Sequence, residues 1–226
     1  MATLTHHHKS EPSRTDFIPP LENGDRLTRE EFERRYEAMP KKVKAELIEG
    51  IVYMASPVRI TRHGIPHGRV MLWLGTFAAA TPGVDFADTS TVRLDTNNEP
   101  QPDAILFVNE EFGGGTYVSD DDYLEGAPEL VVEIASSSVS FDTVEKKEIY
   151  RRNGVREYII WRVDDRAIDW FVLGDDSYTA LEPDADGIIE SRFFAGLRLD
   201  TAALIRDDLS AVLATLQSGL SARSGS

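Results

Sequence analysis

Two short apolar runs in this chain each carry one acid: Pro102-Asp103-Ala104-Ile105-Leu106-Phe107-Val108 and Leu130-Val131-Val132-Glu133-Ile134-Ala135. Each has the length and composition of a strand covered on both faces. A carboxylate in such a run loses its hydration, and a divalent cation is the usual compensation. A helical segment follows, Phe141 to Tyr150, carrying Lys146 and Lys147. Two acids on neighbouring strands and a nearby lysine suit metal-assisted hydrolysis of a phosphodiester. The acids would hold Mg2+ or Mn2+, which polarises the phosphate and acidifies a bound water. The lysine would stabilise the growing negative charge or orient that water.

The elements that must position these residues are legible in outline. Thr28 with Glu31 forms a capping box, Leu27 with Phe32 a hydrophobic staple, and Phe32, Tyr36 and Met39 share one helical face that ends at Pro40. Leu47-Ile48 and Ile51-Val52 flank Glu49-Gly50 as a hairpin. A strongly apolar helix starts at Pro66 and runs to Phe77, before Thr81-Pro82-Gly83. Short strands are predicted at 84–87 and 91–94, and 110–128 reads as a loop whose Asp120-Asp121-Asp122 is solvated. The helix from about Phe141 stops at Gly154. Strands are predicted at 156–163, 167–173 and 177–181, a strand pair within 188–199, and a terminal helix at 204–216. The expected fold is α/β: a mixed central β-sheet flanked by helices, with extra antiparallel hairpins. Residues 1–25, with His6-His7-His8, read as a disordered leader, 26–217 as a single domain, and 218–226 as a flexible tail.

Length and composition narrow the function classes. A chain of 226 residues can bury a substantial α/β core. Cysteine is absent, which removes disulfides, thiolate metal sites and a thiolate nucleophile and fits a cytoplasmic location. No apolar run reaches the length of a bilayer span. The net charge of −15, from 24 Lys+Arg against 39 Asp+Glu, counts against nucleic-acid binding unless a local basic patch exists. Lys146, Lys147, Arg151 and Arg152 on one helix, with Arg59, Arg62 and Arg69 around His63 and His67, are candidates for that rim. They are equally readable as solvated faces paired with Glu145 and Glu148.

The order Pro102-Asp103, Glu133 in an apolar strand, Ser136-Ser137-Ser138, Asp142, Lys146, Tyr150, Gly154-Val155 and Glu157-Tyr158 resembles the Uma family of restriction-type endonucleases, within the PD-(D/E)xK nuclease superfamily. The resemblance extends upstream through Glu46-Leu47-Ile48-Glu49-Gly50, Ser56-Pro57 and His67. It implies a restriction-endonuclease-like core, with 26–217 as a nuclease-like domain, Asp103 and Glu133 as metal ligands, Lys146 as the catalytic lysine and DNA as the partner; a homodimer is allowed, and the lack of a long apolar run points to no membrane association. The superfamily position two after Glu133 should be lysine but is Ala135, so the resemblance moves the lysine to the following helix. Lys147 is the rival, turned about 100° from Lys146. Asp142, one turn earlier, is placed to hold the amine. Ser137 stands where the family favours proline.

Bland readings remain beside these. Asp103 after a proline can simply cap a strand end, and Lys146 alone would be a surface lysine. Glu46 is a fourth acidic group near the metal or a hairpin-edge glutamate. His67 is a helix-start contact or a ligand, and Tyr150 and Tyr158 are core or wall residues. The leading expectation is a Mg2+- or Mn2+-dependent endonuclease acting on DNA. The alternatives are a nuclease fold kept as a weakly active or inactive binding or structural module, and a phosphoesterase for a smaller substrate.

Overall fold

The computed structural model describes residues 17–55, 57–136 and 139–223. The first sixteen residues of the expected leader, with His6-His7-His8, lie outside the described residues, as do Ser56, Ser137, Ser138 and the last three residues of the expected tail.

Helix α1 (Arg29–Glu37) begins where Thr28 Oγ1 accepts the Glu31 N–H at 3.4 Å. The reciprocal half of the capping box is missing because the Glu31 carboxylate is held by Arg34 and Arg35. Strands β1 (Ala45–Ile48) and β2 (Ile51–Met54) form a hairpin. Its turn residues Glu49 and Gly50 both have positive φ, 54° and 70°, the geometry that matches strand twist in two-residue turns. Phe32 of α1, Ala45, Leu47 and Val52 of the hairpin, and Leu21 share a small core. The chain is therefore packed from Leu21 onward, ahead of the boundary expected after residue 25. Arg26 also bridges to Ile51.

A π-helical turn, Ile60–Gly64, leads into α2 (Ile65–Ala79). Then come β3 (Val84–Asp88), β4 (Val92–Arg93) and β5 (Ala104–Val108). The expected loop 110–128 contains β6 (Tyr117–Val118) and β7 (Leu124–Glu125), which join β4 in a three-stranded sheet. The physical reason is Arg93. It is 8% exposed and pairs with Glu33, Asp121 and Glu125, while Asp120, Asp121 and Asp122 are exposed, as their sequence suggests.

Strand β8 (Leu130–Ala135) is buried throughout. It is followed by α3 (Val139–Phe141), a second π-helical turn (Asp142–Lys146) and α4 (Lys147–Arg152), which stops at Gly154 with φ +84°. Next are β9 (Glu157–Arg162), β10 (Ala167–Leu173), β11 (Tyr178–Ala180), β12 (Ile188–Glu190) and β13 (Arg198–Asp200). The single terminal helix of the sequence reading is two helices, α5 (Thr201–Ile205) and α6 (Leu209–Arg223). The segment from Ser218, expected as tail, is helical as far as Arg223. Leu216 and Leu220 anchor it in the core, and Arg223 donates to Ala80 O and Thr81 Oγ1.

The central sheet has the order β11-β10-β9-β8-β5-β3 and is mixed, with β8 and β9 parallel and the other pairs antiparallel. Strand alternation divides its side chains. Leu130, Val132 and Ile134 of β8 pack with Trp73, Leu74 and Phe77 of α2 and with α6. Val131 and Ala135 face Ile149 and Tyr150 of α4. Glu133 shares that second face, which places its carboxylate under α4. Among the described residues, no helix is long and apolar enough to cross a membrane.

A second buried acid shows what a purely structural glutamate looks like in this core. Glu157 has no exposed surface, and its oxygens accept from Trp170 Nε1 (3.0 Å), Ser191 Oγ (2.8 Å) and the backbone N–H groups of Arg192 and Phe193 (2.7 and 3.0 Å). Three of these donors would be left unsatisfied by Glu157→Ala, since the Phe193 N–H also donates to Ser191 Oγ at 3.2 Å. The substitution should cost about 3 kcal/mol or more, read as a lower urea midpoint. An unchanged midpoint would contradict this account.

Candidate active site

Asp103 sits one residue before β5, at the strand's entrance. The antiparallel register pairs Ala104 with Val132, so Asp103 falls beside Glu133. The Ile134 N–H donates to Asp103 Oδ2 at 2.7 Å, and His63 Nε2 contacts Oδ1 at 2.9 Å. Both acids thus arise from one register of β5 against β8.

Lys146 lies on the π-helical turn and is only 5% exposed. Its Nζ donates to Glu133 Oε1 at 3.0 Å and to Glu46 Oε1 at 2.9 Å, with Asp142 Oδ1 at 4.0 Å. Lys147 points elsewhere, its amine 3.3 Å from the centre of the Phe171 ring. Ala135 is fully buried against α4, so the amine reaches the site from the helix rather than from the strand. Glu46, on β1, also accepts the Gln101 N–H at 2.7 Å, which ties the hairpin to the approach of Asp103. Two π-helical turns, one carrying His63 and the other Asp142 and Lys146, border the site. Such turns widen a helix locally and recur where function needs a side chain re-aimed.

His67 Nε2 donates to the Asp103 carbonyl at 2.7 Å, so it fixes the strand entrance through the backbone. Sequence reasoning passed over two participants. His63 was grouped with the basic rim, although His63 and His67 four residues apart ahead of an apolar helix share one helical face. Tyr150, which reads as a core or wall residue, is a core residue whose OH also donates to Glu133 Oε1 at 2.9 Å. Its spacing of four from Lys146 puts both on the same face of the helix.

The site carries an excess of negative charge. Burial raises the Glu133 carboxyl well above the ordinary value; Lys146 opposes this, while Asp103, Asp142 and Glu46 add to it. Burial works against the Lys146 ammonium, but Glu133, Glu46 and Asp142 outweigh it and hold its pKa above the usual lysine range. His63 is raised mainly by its hydrogen bond to Asp103, with desolvation opposing. Tyr150 is raised by burial and by Glu133.

The donor set suits a hard divalent cation. It consists of carboxylate oxygens, it is under-neutralised, and Glu133 Oε2 has no hydrogen bond among the described residues. No group of three or more Asp, Glu or His side chains converges as a metal cage among the described residues. That is compatible with Mg2+, which commonly takes one or two carboxylates and completes its shell with waters and substrate phosphate.

The fold places the chain among the nuclease-like α/β proteins. A solved structure of a putative nuclease belonging to DUF820 from Anabaena variabilis ATCC 29413 is similar, with a TM-score of 0.58 at 14% sequence identity, over 76% of this chain and 97% of that one. Residues 29–202 match the family described as Uma2, Putative restriction endonuclease, and the chain belongs to that family. No curated protein matches it.

Two expectations follow from the geometry. In the metal-free protein, Glu133→Ala removes the acceptor of the Tyr150 hydroxyl. Losing the acceptor should orphan a buried hydroxyl and cost about 1–3 kcal/mol, whereas Glu133→Gln retains an acceptor and should melt at or above the wild-type temperature. Equal melting of both variants would contradict the assigned hydrogen bonds. The raised His63 pKa stabilises the folded protein fully below the ordinary value of 6.5, and this contribution is lost as the pH rises through the folded value. The wild-type melting advantage over His63→Gln should therefore shrink with rising pH. An advantage that grows with pH would refute the His63–Asp103 pairing.

Proposed function

We propose that the chain is a divalent-metal-dependent endonuclease that hydrolyses DNA phosphodiester bonds, with Asp103 and Glu133 as metal ligands and Lys146 as the catalytic lysine. The observation that carries the reading is the buried Lys146 amine between Glu133 and Glu46, beside Asp103, on the fold of a nuclease family.

Each residue has a role that follows from its contacts. Mg2+ or Mn2+, when bound, supplies Lewis-acid polarisation of the phosphate and a more acidic bound water. Asp103 is aimed by His63 and the Ile134 N–H, and each of its oxygens keeps a further lone-pair direction for a ligand. Glu133 is steadied by Tyr150 through Oε1, and its Oε2 has no hydrogen bond among the described residues. Glu46 and Asp142 keep Lys146 protonated, so its ammonium is available to charge developing on the phosphoryl oxygens. Glu46 serves here as a positioning residue for the amine. His67 holds the backbone of Asp103 and needs no contact with substrate.

A competing reading, a retained fold without catalysis, has one observation in its favour: Lys146 already neutralises part of the acid cluster. Two measurements separate the readings. Wild-type protein should nick or cut duplex DNA with Mg2+ or Mn2+ and not with EDTA, and Lys146→Ala should lower the rate by about 10²–10³. Lys146→Met should leave carboxylates without their buried counter-charge and destabilise the protein by about 3–5 kcal/mol, with Mn2+ recovering part of the loss. No cleavage with either metal, together with melting curves indifferent to Mn2+, would overturn the proposal.

A further inference from the structure

Most cations expected to form a basic rim are already committed in the fold. Arg62 pairs with Asp164 and Arg69 with Asp207. Arg151 pairs with Glu148, and Arg152 with Glu49. Lys147 lies over Phe171. Helix α4 therefore offers little free positive charge to a polyanion.

A different group stays free. Lys41, Lys42, Lys44 and Arg59 are exposed, and none forms an ion pair among the described residues, in a chain where 39 acids outnumber 24 bases. They occupy two short segments, the approach to β1 and the exit from β2. The hairpin ladder holds these side by side: Ala45 pairs with Met54, and the Ala55 N–H donates to Lys44 O at 3.0 Å. The segments border the acid cluster. Lys44 and Glu46 flank the buried Ala45 and so share a strand face, and Glu46 touches Lys146. Lys44 is also near enough to His63 to oppose its protonation. Arg59 opens the π-helical turn that carries His63, whose N–H donates to Arg59 O at 3.0 Å. Val58 and Ile60 beside it are 69% and 72% exposed, leaving apolar surface between the cations.

We propose that Lys41, Lys42, Lys44 and Arg59 form a track that binds the phosphate backbone of duplex DNA across the mouth of the Lys146 site. The inference rests on the phosphodiester reading and assigns where its substrate is held. A protein of net charge −15 repels a polyanion at a distance, so contact requires a local positive surface. The surface formed by these residues is positive, unpaired and adjacent to the acids. Lysine suits the role of a mobile point charge on phosphate, and the exposed Val58 and Ile60 can lie against sugar faces.

The test is fluorescence anisotropy of a labelled DNA duplex with the full chain in EDTA, where metal-assisted cleavage does not run, over a series of salt concentrations. Wild-type affinity should fall steeply with salt. In Lys41→Ala/Lys42→Ala/Lys44→Ala, affinity should drop about tenfold or more at low salt. The log–log salt slope should become shallower by about one for each lysine that neutralised a phosphate. The charge-matched variant Arg156→Ala/Arg192→Ala/Arg206→Ala, changed at exposed positions on other segments, should bind as wild type does. Circular dichroism melts should show both variants folded. Undetectable wild-type binding, an unchanged slope in the lysine variant, or equal weakening in both variants would overturn the track. Duplex binding that depends on the lysines, without cleavage in Mg2+ or Mn2+, would leave the track standing and overturn the hydrolytic reading. Cleavage undiminished in the lysine variant would do the reverse.

Discussion

One buried ammonium holds the centre of this molecule. Lys146 comes from a helical turn, Glu133 from the middle of the central sheet and Glu46 from a hairpin outside it, and the three meet within hydrogen-bonding distance. Burying any one of these charges alone would cost several kcal/mol. The three elements are therefore fixed relative to one another by charge as well as by packing. The arrangement requires α4 to pack with Ile149 and Tyr150 against Val131 and Ala135, and requires Gln101 to grip Glu46 just ahead of Asp103.

Glu133 and Glu157, two of the buried glutamates, meet desolvation in opposite ways. Glu157 is surrounded by neutral donors, two from side chains and two from the backbone, and forms no ion pair among the described residues. Glu133 has a lysine, a tyrosine and three other acids, an environment in which its charge is only partly compensated. The first arrangement is closed, with nothing further to bind. The second has an unfilled demand for positive charge, and that demand gives the site a physical reason to take up a cation. The basic segments at its edge lie outside the cluster and cannot meet the demand from within.

The strands carrying Asp103 and Glu133 were legible in sequence because each acid interrupts an otherwise apolar run, and Lys146 was legible from its register with Tyr150 and Gly154. The hairpin turn and the start of α1 were equally plain, since Glu49-Gly50 and Thr28 act locally. Long-range pairing was not. Nothing near Asp121 announces that the distant Arg93 will pair with it, so β6 and β7 read as a loop. Nothing near Ser218 shows that the faces of Leu216 and Leu220 meet α2, so the last helix was cut short. His63 hid among the arginines around it, and the free cations at Lys41–Lys44 were overlooked because pairing can be seen only once the other cations have found their acids.

The division of the hydrophobic interior has a consequence for how such a protein can change. Helix α1 and the β1–β2 hairpin carry their own small core, Leu21, Phe32, Ala45, Leu47 and Val52, distinct from the two clusters that sandwich the central sheet. Their backbone attachment to the rest runs largely through the Leu47–Glu99 bridge and the neighbouring Gly50 and Asn97 pair. This satellite contributes Glu46 together with every residue of the 40–44 segment. It is therefore a replaceable module: its outward side chains can be rewritten over generations without disturbing the sheet, provided one glutamate still reaches the buried amine.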